Sequence, residues 1–429
     1  MTSQITVVSG PPPSGRVAEP YRFQLEASGG KPPYSWRDPD KQLPAGLTLT
    51  ESGVVAGTPS TVIHDKSVLV TVSDSGAKEG HAYLHFRIDP ARTWAGTGSM
   101  KAARWGHAGT LLPDGRVLVT GGLGPEPLPS TEIYTTSTRL WSAAAPMSTA
   151  RVGHASVALS TGEVLVCGGF YAGQDITASA QCYALPATWT EVQRMTWPRR
   201  DIRFGAVAMT DEFVLVAGGF TQKDTNKFGT NTAELYDVSR RSWSLTGSLK
   251  TVRFDHTVSL LRDGRVVAIG GFTGSGITNS TEVYDPGSRT WTLKGAMAVP
   301  RAGHTATVLG NGKVLVAGGF VGSEATNTAE IWDPTSDAPV ATGSLTSRRM
   351  GHVAVRLRDG RVLVAGGTAN APMASAEIYD PWAATWYSAG SMAVPRLRGT
   401  ATLLRSGEVL VTGGSTGPPG PTPTAELFG

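Results

Sequence analysis

Pro300-Arg301-Ala302-Gly303-His304-Thr305-Ala306-Thr307-Val308-Leu309, the turn Gly310-Asn311-Gly312-Lys313, the run Val314-Leu315-Val316-Ala317-Gly318-Gly319-Phe320 and, after a polar loop, Ala329-Glu330-Ile331-Trp332-Asp333-Pro334 form the stretch that decides the fold. Two short apolar runs joined by Asn-Gly read as a β-hairpin, because Asn and Gly accept the positive φ angles of a tight turn. The diglycine that ends the second run returns at Gly121–Gly122, Gly168–Gly169, Gly218–Gly219, Gly270–Gly271, Gly318–Gly319, Gly366–Gly367 and Gly413–Gly414. That period, roughly fifty residues, indicates a propeller or an array of small sheets.

Each repeat divides into four strands. Strand A follows an Arg-x-Gly-His segment, and Asp114-Gly115, Thr161-Gly162, Asp263-Gly264, Asn311-Gly312, Asp359-Gly360 and Ser406-Gly407 turn it into strand B, with Thr210-Asp211-Glu212 as the variant of the third repeat. Strand C ends in an aromatic residue at Tyr134, Tyr183, Tyr236, Tyr284, Trp332 and Tyr379, and strand D carries Trp141, Trp189, Trp243, Trp291 and Trp386, with Pro339 in the fifth repeat. The sequence of diglycine, tyrosine and tryptophan resembles the kelch repeat over residues 91–429. The resemblance implies a seven-bladed β-propeller with strand A lining a central channel. Because the last repeat stops after strand C at Phe428 and Trp94 precedes the first, Trp94 is expected to supply the missing outer strand of blade seven and close the ring.

Residues 1–90 lack the diglycine repeat. Tyr21–Ala27 and Ser67–Val72 read as strands between turn clusters at Gly29-Gly30, Pro32-Pro33 and Gly57-Thr58-Pro59, which predicts two packed sheets. Tyr34-Ser35-Trp36, Leu43–Leu49 and Gly53–Pro59 resemble the immunoglobulin-like modules of bacterial surface and secreted proteins. The chain is therefore expected to be extracellular, periplasmic or at the cell surface, although Met1–Gly10 lacks the charged and apolar regions of a secretory signal.

Composition excludes several classes. A formal charge of +4 over 429 residues, without a Lys/Arg-rich run, gives no nucleic-acid partner. No apolar run approaches the ~18–20 residues of a membrane span. Ring closure leaves no structural need for a dimer, so a monomer is expected. Cys167 and Cys182 flank one loop on successive strands, where either a cross-strand disulfide or two buried thiols is consistent with the sequence.

Loops joining strands D to A and B to C open on one face of a propeller, and this mouth is where kelch ligands commonly bind. Arg104, Arg151, Arg203, Arg253, Arg301, Arg349 and Arg396 ring it, either as an anion-attracting funnel or as blade packing. Phe170, Phe220, Phe272 and Phe320, each directly after a diglycine, either stack on a ligand or cap the gaps between blades. His107, His154, His256, His304 and His352 recur at the start of strand A; four of them, His107, His256, His304 and His352, form the alternative metal set, since neutral imidazole suits copper, zinc or iron.

The segment Arg104-Trp105-Gly106-His107 is similar to one that carries a copper ligand in oxidases of the galactose oxidase type. Those enzymes place tyrosines just before this histidine, where this chain has Gly106, Gly153, Gly205, Asp255, Gly303, Gly351 and Arg398, so no copper-radical site and no cofactor are expected. Departures from the repeat carry more information than its shared residues. Asp255 beside His256 is a candidate acid/base pair. Arg398 replaces a glycine, and blade three brings Arg200 and Asp201 and a long loop with Asp224, Lys227 and Phe228. With Phe220, Phe272 and Phe320 these are the expected ligand contacts.

Two functions follow. One is a binding propeller that recognises a glycan, small molecule or protein at the mouth. The alternative is an enzyme (oxidase, lyase, isomerase or cyclase) acting there through Asp255 and His256.

Overall fold

Along Glu79–Asp89 the residues Gly80, Leu84, Phe86 and Ile88 are buried while His81, Tyr83, His85 and Arg87 are exposed, the alternation of a strand with one face on a core. This strand belongs to the first of two compact units, Met1–Thr93 and Trp94–Gly429. The computed structural model describes residues 4–429 except 172–174, 203–204, 224–225, 337 and 419, and describes only the backbone at 222, 223, 226 and 227.

In the first unit a four-stranded sheet runs Gly15–Arg16, Glu79–Asp89, Ile63–Ser73, Ser35–Arg37, and a three-stranded sheet runs Tyr21–Gln24, Val54–Gly57, Leu47–Leu49. Trp36, Val68, Val70 and Phe86 from the first and Tyr21, Leu47 and Val55 from the second share one core. Burying these large apolar groups from both faces is what holds two Cys-free sheets together.

Among the described residues, the second unit holds seven four-stranded sheets. In blade one, Ala108–Leu111, Val117–Thr120, Thr131–Thr135 and Leu140–Ala144 lie in order from the channel outward. Strand B is buried at every residue in that blade, because adjacent blades cover both of its faces. Blade seven takes Thr400–Leu403, Val409–Thr412 and Ala425–Phe428 from the chain's end and Trp94–Thr97 from before blade one. Trp94 sits opposite Phe428 with ring centroids 4.9 Å apart, and its indole N–H donates to the Ala389 carbonyl. Inner strands touch from blade to blade, including Thr400–Leu403 against Ala108–Leu111, so they complete a circle.

The recurring Tyr and Trp are opposed across strands C and D, with centroids 5.1 Å apart for Tyr134–Trp141 and Tyr379–Trp386. Blade five departs from this. Beside Pro339, which cannot donate to the ladder, its strand D is only Val340–Ala341.

Packing decides the role of the ring arginines against the funnel. Arg104, Arg253, Arg301 and Arg349 are 0% exposed, and each gives one guanidinium nitrogen to the first diglycine carbonyl of its blade. The other nitrogen meets a strand-C carboxylate: Arg104–Glu132 at 2.8 Å, Arg253–Glu282 at 2.7 Å, Arg301–Glu330 at 2.6 Å, Arg349–Glu377 at 2.7 Å and Arg396–Glu426 at 2.9 Å. Each glutamate also accepts two backbone N–H groups of the loop entering its blade, as Glu132 does from Lys101 and Ala102. In blade three the arginine is Arg199, paired with Glu234 at 2.8 Å, and not Arg203, which lies outside the described residues. Blade two has Gln181 in place of the glutamate; burial without that carboxylate pulls Arg151 down to about 10. One such glutamate stands two residues before the strand-C aromatic in six of the repeats, a periodicity carried by the sequence itself.

Cys167 and Cys182 are free and buried. Register explains it: Cys167 lies opposite Ala180 and Cys182 opposite Leu165, so the thiols do not face each other. Burial pushes the Cys167 thiol up to about 12. Neither thiol is expected to react with Ellman's reagent in the folded protein, and both should react in guanidinium; one fast-reacting thiol under native conditions would contradict this.

Candidate functional site

In each blade the residue after the ring arginine forms a single bridge with the residue after the diglycine. The pairs are Trp105 with Leu123, Val152 with Phe170, Arg200 with Phe220, Phe254 with Phe272, Ala302 with Phe320, Met350 with Thr368 and Leu397 with Ser415. These pairs form the wall of the mouth. From blade two to blade five the wall is aromatic: Arg200 lies 5.4 Å over Phe170 and 4.7 Å over Phe220, and Phe254 packs between Phe220 and Phe272 at 5.1 and 5.3 Å. Phe254 was absent from the expected contacts, yet its place one residue after a ring arginine marks it.

Below the wall is a ring of positive-φ residues. Gly106, Gly153, Gly303 and Gly351 have φ between 60° and 66°, and the equivalent places in blades three, four and seven carry Asp201 (56°), Asp255 (52°) and Arg398 (56°). Backbone hydrogen bonds link the ring from blade to blade, from Gly303 to Asp255, Gly351 to Gly303, Arg398 to Gly351, Gly106 to Arg398 and Gly153 to Gly106. The third repeat thus reads Arg199-Arg200-Asp201-Ile202, with Asp201 and not Gly205 as the counterpart of Asp255; a longer run before its strand A hides this in the sequence. Asp255 is accordingly not the only carboxylate at this level. The two lean apart, with Asp201 over Gly153 and Asp255 over Gly303.

Two neighbouring cavities open here. The larger, about 400 Å³, is lined by Trp105, Phe272, Phe320, Met350 and Leu397, with Asp255 and Arg398 as its charged groups. A smaller one of about 30 Å³ lies among Trp105, Phe170, Asp201, Asp255, His256 and Arg398. Asp201, Asp255, His256, Phe272, Phe320 and Arg398 therefore come together at the mouth. Arg200 and Phe220 stand in the wall beside them, Arg200 3.5 Å from Asp201. Phe228 is 42% exposed on the strand Asn226–Gly229 and lines neither cavity. Asp224 lies outside the described residues, as does the side chain of Lys227.

Four of the five recurring histidines bond to threonines of the preceding blade. His107 Nε2 lies 3.0 Å from Thr412 Oγ1, His154 Nε2 2.8 Å from Thr120, His304 Nε2 3.1 Å from Thr257 and His352 Nε2 2.9 Å from Thr305. Among the described residues no three His, Cys, Asp or Glu side chains gather as metal ligands, and glycine, aspartate or arginine stands where a copper-radical site needs tyrosine. The donor set does not fit copper. Burial, with Arg253 beside it, holds His256 down to about 3.

Burial likewise takes His352 down to about 3 and His304 well below its ordinary value. Unfolded, these imidazoles bind protons below about pH 6.5. The unfolded state then holds more protons than the folded one, so stability is full above that pH and falls as pH drops toward 3. Each is expected to remove up to about 2 kcal/mol between pH 6.5 and 5. Urea unfolding at pH 7, 6 and 5 measures this, and a flat profile would rule it out.

The comparisons with known proteins agree with this architecture. Residues 204–414 match the KLHDC2/KLHL20/DRC7 Kelch-repeats domain, and residues 4–88 match the family described as "Putative Ig domain". No curated protein matches the sequence. Among solved structures, a fungal alcohol oxidase of the AA5 family, in complex with copper, is similar at 18% identity and a TM-score of 0.65, over 78% of this chain and 76% of that one. YjhT is similar at 15% identity and a TM-score of 0.51, over 64% of this chain and 93% of its own. Both likenesses are of fold. The chain has the architecture of a kelch-repeat β-propeller with an immunoglobulin-like domain.

Proposed function

We propose that the propeller mouth binds a carbohydrate. The observation that carries this reading is the placement of Asp201, Asp255 and Arg398 in left-handed backbone at ring positions that the other blades give to glycine. A side chain there costs about 1–2 kcal/mol per residue, somewhat less for Asp, and such strain persists where function requires the side chain. All three border the cavities, beside Trp105, Phe272 and Phe320. Carboxylates and a guanidinium hydrogen-bond hydroxyls, while aromatic faces cover the apolar side of a sugar ring. At about 400 Å³ the larger cavity lies at the small end of ligand sites.

The immunoglobulin-like domain, resembling modules of bacterial surface proteins, supports an extracellular setting. The test is calorimetric titration of the full chain with methyl glycosides of glucose, galactose, mannose and N-acetylglucosamine and with the corresponding disaccharides, with tryptophan emission followed in parallel for Trp105. Saturable binding that is lost in Asp255→Asn is the expected result. Absence of binding across the panel would refute the carbohydrate reading.

A further inference from the structure

His256 differs from the other four recurring histidines. They share hydrogen bonds with threonines of the preceding blade, through the last residue of strand B for His107 and His154 and the first residue of strand A for His304 and His352. For His256 those two places hold Ala217 and, opposite it, Gly205, neither of which has a hydroxyl. The imidazole is 2% exposed and lies by the Ala217 carbonyl, and among the described residues no side chain bonds either ring nitrogen. Buried polar groups seldom stay in that condition without a water or ligand to complete them.

The same residue borders the small cavity, whose volume of about 30 Å³ suits one water or one hydroxyl group. That cavity shares Trp105, Asp255 and Arg398 with the larger one, so the two adjoin at the mouth. We infer that His256 reads one hydroxyl of the sugar bound in the mouth and so sets which sugar is accepted; this rests on the carbohydrate reading above. Kept neutral by burial, the imidazole can give its N–H to the Ala217 carbonyl and hold the lone pair of its other nitrogen for a hydroxyl that donates to it. A site built to bond a hydroxyl discriminates against the ligand that lacks it, because its own polar groups are then left buried and unpaired.

The test supplies the missing partner from within the protein. Ala217→Thr places a hydroxyl where Thr120 and Thr412 stand in blades one and seven, so it should engage the His256 ring as they engage His154 and His107. His256→Phe, which keeps a ring of similar size and removes both nitrogens, is the parallel variant should the first fold poorly. The methyl glycoside that wild type binds best, and its series of monodeoxy analogues, are titrated against all three proteins. Wild type is expected to lose about tenfold in affinity for one analogue only, and both variants to bind the parent about tenfold more weakly while no longer distinguishing it from that analogue. Equal affinities and equal discrimination in wild type and variants would overturn the role of His256 and leave carbohydrate binding standing. Failure of wild type to bind any glycoside of the panel would overturn both.

Discussion

Replacing Glu282 by alanine is expected to destabilise the propeller by about 3–5 kcal/mol, the range found when a buried ion pair loses one partner. Arg253, 0% exposed, keeps its bonds to the Gly270 and Ser280 carbonyls but loses the Glu282 carboxylate 2.7 Å away. The same substitution strips acceptors from the backbone N–H groups of Lys250 and Thr251, which lead the chain from blade three into blade four. A buried cation and two amides are thus left wanting in a place that water reaches poorly. Glu282→Gln should cost less, because blade two already holds Gln181 beside a buried Arg151. Since two units unfold in this chain, the propeller transition has to be resolved from that of the immunoglobulin-like domain, for example by calorimetry. A loss below about 1 kcal/mol for the alanine variant would mean that the network is dispensable and that apolar packing alone joins the blades.

Asp255→Gly and Arg398→Gly are expected to move stability and binding in opposite directions. Gly303 and Gly351 show that the ring accepts glycine in this conformation, at φ of 60° and 61°. Each substitution therefore relieves left-handed strain, set against the greater freedom of glycine in the unfolded chain, for a net gain of about 0.5–1 kcal/mol. Sugar affinity should fall at least about tenfold, since each change removes a charged hydrogen-bonding group from the cavity wall. Gly303→Ala serves as the reverse control: an added Cβ would stand 3.2 Å from an Asp255 carboxylate oxygen and crowd it. If the two glycine variants bound sugar as wild type does, Asp255 and Arg398 would have no part in recognition. If they were less stable than wild type, the ring side chains would be structural.

What the residues alone determined is the periodic part. A diglycine, a tight turn and a Tyr–Trp pair recur in phase because every blade solves the same packing problem, so each residue's environment follows from its place in the repeat. The same logic covers Trp94, whose partner is whichever repeat lacks a fourth strand, and the strand-C glutamates, which recur two residues before the strand-C aromatic. Tertiary structure decided the aperiodic part. Asp201 takes the place of Asp255 in its own blade only after the longer run of the third repeat is looped out, and alignment by motif instead assigns Arg203 and Gly205 to the ring. Cys167 and Cys182 sit symmetrically about a loop, yet strand register keeps them apart. The mouth itself joins Trp105, Asp255 and Arg398, residues from blades one, four and seven. Separation along the chain says nothing about such a meeting, because it is closure of the ring that carries distant blades to a common centre.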